Sequence, residues 1–163
     1  MGSTLSALVV DSAGGLRSVA GTRAPVVDLP QGFALLPLTK SVRVDLDVDE
    51  PMADNVSYLT PALAELAKRW SAETTIAYIE SETHGGTGTQ VAAIWRGAEV
   101  VWGPRYTANN AADADETFIL VTDPSEYAVN AALRELGVER RDAFDEYAAL
   151  GLDAKRSTDD WLT

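Results

Sequence analysis

Apolar positions in this chain fall into short runs separated by Gly, Pro and acid clusters, a spacing that predicts brief strands with a few helices between them. Residues 5–10 (LSALVV) and 16–20 (LRSVA) flank DSAGG, a glycine-containing turn of hairpin length, so the chain is predicted to open as a β-hairpin. Residues 33–38 predict another short strand, which Pro37 confines to a sheet edge or a strand end. Val42, Val44, Leu46 and Val48 then alternate with Arg43, Asp45, Asp47 and Asp49. This is the cleanest period-two pattern in the chain, and it predicts a strand with one apolar face and one acidic face.

Thr60-Pro61 predicts a helix start, because threonine caps a free amide and proline fixes φ where no donor is needed. Leu63, Leu66, Ala67 and Trp70 follow at the i, i+3, i+4 and i+7 positions of one apolar stripe. Residues 74–82, 90–95 and 99–102 predict three strands of an antiparallel meander, the last two joined at Arg96-Gly97-Ala98. The run VAAIW within it is apolar on both faces, as a central strand covered on both sides would be.

A polar loop over residues 108–116 precedes an expected strand at 118–121. Asp123 with Glu126 three residues on predicts a helix carrying Val129, Leu133 and Leu136 inward and ending at Gly137-Val138. A shorter helix from Asp142 is expected to turn Phe144, Tyr147 and Ala148 inward and to stop at Gly151, with Trp161 docking the tail. These elements amount to an α+β fold: an antiparallel, meander-rich sheet packed against about three helices, in one globular domain over residues 1–163.

A length of 163 residues suffices for a core without staples. The chain has no cysteine, which excludes disulfides, thiolate metal sites and cysteine nucleophiles. The opening MGSTLSALVVDSAGG lacks the basic residues and long apolar run of a secretory signal, and no run is long enough to span a bilayer, so a cytoplasmic location is expected. Ten arginines against three lysines in an alanine-rich chain suggest a GC-rich bacterial genome.

The net charge of -12 changes the picture more than the composition does. It disfavours nucleic acid and anionic membranes as partners. Acid groups gather at Asp45, Asp47, Asp49, Glu50 and Asp54, and again at Asp113, Asp115, Glu116, Asp123 and Glu126. Besides keeping the chain soluble, the first cluster, or alternatively the face from Asp113 to Glu126, is the expected contact surface for a basic partner protein such as a toxin.

Candidate chemistry centres on Glu80, Glu82 and His84, the only histidine. If the strand persists, they follow Tyr78 on one face at steps of about 7 Å. Two carboxylates and an imidazole can divide acid and base roles or face a divalent cation; as plain solvated residues at a hairpin end they would do neither. With a single histidine and no cysteine, no metal centre and no cofactor are expected.

The adjoining Gly85-Gly86-Thr87-Gly88 fails as a P-loop, having no Lys-Ser/Thr after it, and as a dinucleotide fingerprint, because Val91 stands where glycine or alanine belongs. Its glycines are expected to serve positive φ or close backbone approach. The Asp45-Asp47-Asp49 spacing fails as a calcium loop, since Glu50 replaces the glycine and Val56 the bidentate glutamate.

Four segments carry a resemblance: Y-I-E-x-E followed by GG-T-G-x-Q-x-A-x-x-W, then A-L-R-E-L-G-V, D-E-Y-x-A-L-G-L and the closing T-x-D-W. Together they resemble a group of small acidic bacterial proteins with no established activity, so the resemblance implies no catalytic residue. In size and charge such proteins are similar to immunity proteins that neutralise a toxin. The expected function is therefore an acidic binding protein of immunity or antitoxin type. The alternative is a small hydrolase or metal-dependent enzyme using Glu80, Glu82 and His84.

Overall fold

The computed structural model describes residues 2–52 and 57–162. Its strands β1 (Gly2–Val10), β2 (Val27–Asp28), β3 (Ala34–Pro37), β4 (Ile76–His84), β5 (Thr87–Arg96), β6 (Glu99–Ala108) and β7 (Ile119–Leu120) join in the order β2-β3-β1-β4-β5-β6-β7. Every neighbouring pair is antiparallel except β6 and β7, which run parallel. The sheet is thus mixed, where a purely antiparallel one was expected. The polar segment after β6 carries the chain back along the sheet, and Phe118 pins its return by packing edge-on against Tyr106, with ring centroids 5.6 Å apart.

Both faces of the sheet are covered, because the inner strands are apolar at successive positions. On β1, Leu5, Ala7 and Val9 enter one core while Leu8 and Val10 enter the other. The first core takes Val129, Leu133 and Leu136 of a helix over Ala128–Leu136 and the residues around a short helix over Glu146–Ala149. The second takes Leu16, Val42, Leu63 and Leu66 from helices over Ala13–Ala20, Lys40–Asp45 and Pro61–Trp70. In chain order these are α1 (Ala13–Ala20), α2 (Lys40–Asp45), α3 (Pro61–Trp70), α4 (Ala128–Leu136) and α5 (Glu146–Ala149), five α-helices among the described residues. The architecture is α+β, with the sheet between two helical layers. No helix among the described residues is long and apolar enough to cross a membrane.

The meander over β4, β5 and β6 and the helix α3 form where the pattern predicts them, except that β6 runs on past the expected end at Trp102 to Ala108. Thr60 accepts a hydrogen bond from the Leu63 amide, with Pro61 in the first turn. Pro37 ends β3 beyond the reach of β2, which pairs only with Ala34 and Leu35. Gly137 ends α4 in the left-handed region, and the Val138 amide closes back on the Leu133 carbonyl.

Two predicted strands are helices instead. Residues 16–20 belong to α1, because Ser12 caps it through the Gly15 amide at 3.0 Å and Ala13, Leu16 and Ala20 fall at helical spacing. The period-two segment from Val42 forms α2 and a following turn. Thr39 Oγ1 accepts from the Val42 amide, Arg43 Nη1 donates to the Leu38 carbonyl, and Asp47 takes a left-handed φ of 57°. Val42 and Val48 are buried while Val44 is 54% exposed, so the expected apolar strand face does not exist.

The last third departs in its helix starts. Asp123 caps only a 3-10 turn over Pro124–Glu126, and α4 begins afterwards, its first amides accepted by sheet side chains: Ala128 by Thr107 Oγ1 and Val129 by Gln90 Oε1. Helix α5 starts from an Asp145 cap, later than expected. Phe144 is 76% exposed, and the buried inward position is Glu146, which Arg134 meets at 3.3 Å. Tyr147 and Trp161 do pack against the first core.

At the far border β7 covers only Thr107 and Ala108 of β6. Along the rest of β6 the register against β5 shifts twice, between Ala92 and Ile94 and between Ile94 and Trp95. Gly103 and Pro104 lie within this irregular stretch, and Val100 and Val101 are about half exposed.

Candidate functional site

The β4–β5 hairpin supplies the site. Gly85 and Gly86, with φ of 62° and 87°, form a two-residue turn closed by the His84–Thr87 pair, the turn whose twist matches flanking strands. Gly88 is required for a different reason: a Cβ there would collide with the Glu82 carbonyl and the Thr83 backbone. Asn109 ties the loop down on three sides, donating from its amide to Gly88 O, accepting from the Gly88 amide and donating from Nδ2 to Gly86 O. The Gly88 amide therefore has a protein acceptor, and the loop's glycines serve turn geometry and close approach.

Tyr78, Glu80, Glu82 and His84 do share one face of β4, but their surroundings grade from core to water. Tyr78 is fully buried and Glu80 is 7% exposed, whereas the side chains of Glu82 and His84 are 49% and 76% exposed. Glu80 Oε1 accepts from the Tyr78 hydroxyl at 2.6 Å, from Ser57 Oγ at 2.9 Å and from the Tyr58 amide at 2.9 Å. Since Tyr78 gives its proton to Glu80, its 3.0 Å bond to Ser6 makes Ser6 the donor. Burial raises the Glu80 pKa against the pull of its three hydrogen bonds, and burial first, then the Glu80 charge, holds the Tyr78 phenol well above its usual range.

Glu80 is thus a clamp between β4 and Ser57-Tyr58, while Glu82 and His84 face outward, with Glu82 Oε1 3.7 Å from His84 Nε2. Those two line an open pocket of about 280 Å³ with Met52, Gly88, Thr89, Asp113, Asp115 and Phe118. Asp115 Oδ1 is turned back on the Thr117 and Phe118 amides, and Asp113 Oδ2 accepts from Asn110 Nδ2 at 2.6 Å. Three carboxylates and an imidazole therefore line one pocket, with no Lys or Arg among its described lining residues. Among the described residues no three His, Asp or Glu side chains are grouped to hold a metal ion.

The first acid cluster is divided by the fold. Asp45 at the end of α2 and Asp47 in the following turn are exposed and make no ion pair among the described residues. Asp49 pairs with Arg43 at 3.3 Å, and Glu50 Oε1 accepts from the Ala62 amide in the first turn of α3. Asp54 lies outside the described residues. In the second cluster, Asp123 is occupied by Ser125, whose amide and hydroxyl hold its carboxyl below the usual range.

The sequence marks Asp113 and Asp115 as part of an acidic face for a basic partner, without linking them to Glu82, and gives Asn109 no role. Their signal is a long-range one: a loop 25 residues or more beyond Glu82 folds back over it, and nothing local to either segment encodes that meeting. No family model, no curated protein and no solved structure matches this chain.

Proposed function

We propose that the protein binds a basic partner protein, as an inhibitor of immunity or antitoxin type, and receives a lysine or arginine side chain of that partner between Glu82, Asp113 and Asp115. One observation carries this reading: an open pocket with three carboxylates and no Lys or Arg among its described lining residues. The net charge of -12 would draw such a partner in from a distance, and the exposed Asp45 and Asp47 add to the field. A hydrolase using Glu80, Glu82 and His84 together would need all three in one cavity, whereas Glu80 is taken up by Tyr78, Ser57 and Tyr58.

The test is affinity capture from the native host with wild-type protein and with the double variant Glu82→Gln, Asp113→Asn. A single basic protein retained at low salt, released as salt rises and lost by the variant, is the expected result. Capture of no basic protein at low salt, or equal capture by the variant, would overturn the reading.

A further inference from the structure

A second pocket, of about 190 Å³, opens between β1, the first turn of α2 and the chain's closing segment, and its lining has the opposite character. Lys40 and Arg43 are two of only 13 basic residues in the chain, and both line it. They stand at i and i+3 on α2, so they project from one side of the helix. Asp159 is the one acid in the lining; the rest is Leu38 and the hydroxyl-bearing Thr4, Ser6, Thr39, Tyr58 and Thr158.

Arg43 is held in place before any ligand arrives. Nη1 donates to the Leu38 carbonyl at 2.6 Å, Nε to Asp49 at 3.3 Å, and the guanidinium lies over the Tyr58 ring at 5.4 Å. Those bonds use Nε and Nη1, and Arg43 lines the pocket. Lys40 makes no ion pair among the described residues. The amide of Val42 is already taken by Thr39 Oγ1, so the side chains, and not the short helix, provide the donors. Beneath them Ser6, 4% exposed, is tied through Tyr78 to Glu80, which makes the pocket floor rigid.

We propose that this pocket is a binding site for a small anionic group, a carboxylate or a phosphate, held by Lys40 Nζ and the Arg43 guanidinium with the Tyr58 hydroxyl as a third donor. A rigid guanidinium and a mobile ammonium side by side are the donor set that such oxygens select. The volume of about 190 Å³, that of about six waters at ~30 Å³ each, is enough for acetate, phosphate or the end of a larger acid. This site is independent of the acidic pocket, and its charge preference is the reverse.

The experiment is an amide-resolved NMR titration of the full chain with sodium acetate and, separately, inorganic phosphate, against sodium chloride at matched ionic strength. Saturable shifts confined to residues 38–43, Ser6 and Tyr58 are expected with at least one of the two anions. Saturation by acetate alone identifies a carboxylate site, by phosphate alone a phosphate site, and by both a site for either group. Lys40→Ala, an exposed change that leaves the fold intact, is expected to weaken binding about tenfold, as loss of one charge-assisted hydrogen bond does. Lys68→Ala on α3 is expected to leave binding unchanged. Shifts that stay linear and match those of chloride, or equal affinity in Lys40→Ala, would overturn the proposal.

Discussion

Tyr78 and Glu80, two residues apart on one strand face, share a 2.6 Å hydrogen bond in a place almost closed to water. Removing the phenol by Tyr78→Phe leaves Ser6 without its acceptor and takes one of three donors from Glu80. The expected loss is about 1–3 kcal/mol of unfolding free energy, measured by urea denaturation.

Glu80 also gives stability a pH dependence of definite sign. Its folded pKa is raised above the usual 4.5, so the folded state holds the proton more tightly than the unfolded chain. That contribution is fully present below 4.5 and is lost as pH rises through the folded value. Glu80→Gln is expected to flatten this fall, and denaturation midpoints of both proteins from pH 4.5 upward would show it. A wild-type slope retained by the variant would assign the dependence to other groups.

The glycine loop separates two kinds of sensitivity. Gly88→Ala drives a methyl into the Glu82 carbonyl of the paired strand, so a clear drop in melting temperature, by about 5 °C or more, is expected. Asn109→Ala removes two side-chain bonds to the same loop, keeps the backbone one and adds no clash, and is expected to cost about 1–2 kcal/mol. Calorimetry on the two variants gives the order.

Much of the centre of this fold was legible from local pattern, and much of its border was not. Residues 76–84 and 87–96 are rich in β-branched and aromatic residues and flank a Gly-Gly turn, so neighbouring strands specify one another at short range. Valine alternation from Val42 looked equally clear, yet Thr39, Arg43 and Asp49 supply hydrogen bonds that close a helix over so short a segment. Helix α4 could not be started correctly from its own residues, because its capping groups, Gln90 and Thr107, lie on the sheet. Likewise the one-face spacing of Glu80, Glu82 and His84 was readable, while their division between a buried clamp and an open pocket depends on Ser57, Tyr58, Asp113 and Asp115, brought in from afar.

Phe144 and Leu133 make a direct comparison of exposed and buried apolar side chains. Phe144 is 76% exposed, so Phe144→Ser is expected to change stability by no more than about 0.5 kcal/mol. Leu133 is fully buried, and Leu133→Ala is expected to cost about 2–5 kcal/mol by the same denaturation measurement.

Alkaline titration offers an independent check on the packing. Burial, with Asp153 and Asp145 nearby, pushes the Tyr147 phenol up to about 12, and Tyr78 and Tyr106 are raised as well. Three of the five tyrosines are therefore expected to ionise late when phenolate absorbance is followed upward from pH 9. Tyr78, Tyr106 and Tyr147 ionising in the ordinary phenol range would contradict the packing around these rings.

The irregular course of β6 has a consequence for behaviour in concentrated solution. An outer strand with half-exposed Val100 and Val101 would ordinarily be a template on which further chains add and fibrils grow. Here the register shifts break its row of hydrogen-bonding groups, and Pro104 contributes no amide to it. At the opposite border β2 offers only two residues. Both ends of the sheet are therefore poorer seeds than a long regular edge, and the apolar strip on β6 is expected to stay in water without drawing the chain into polymers.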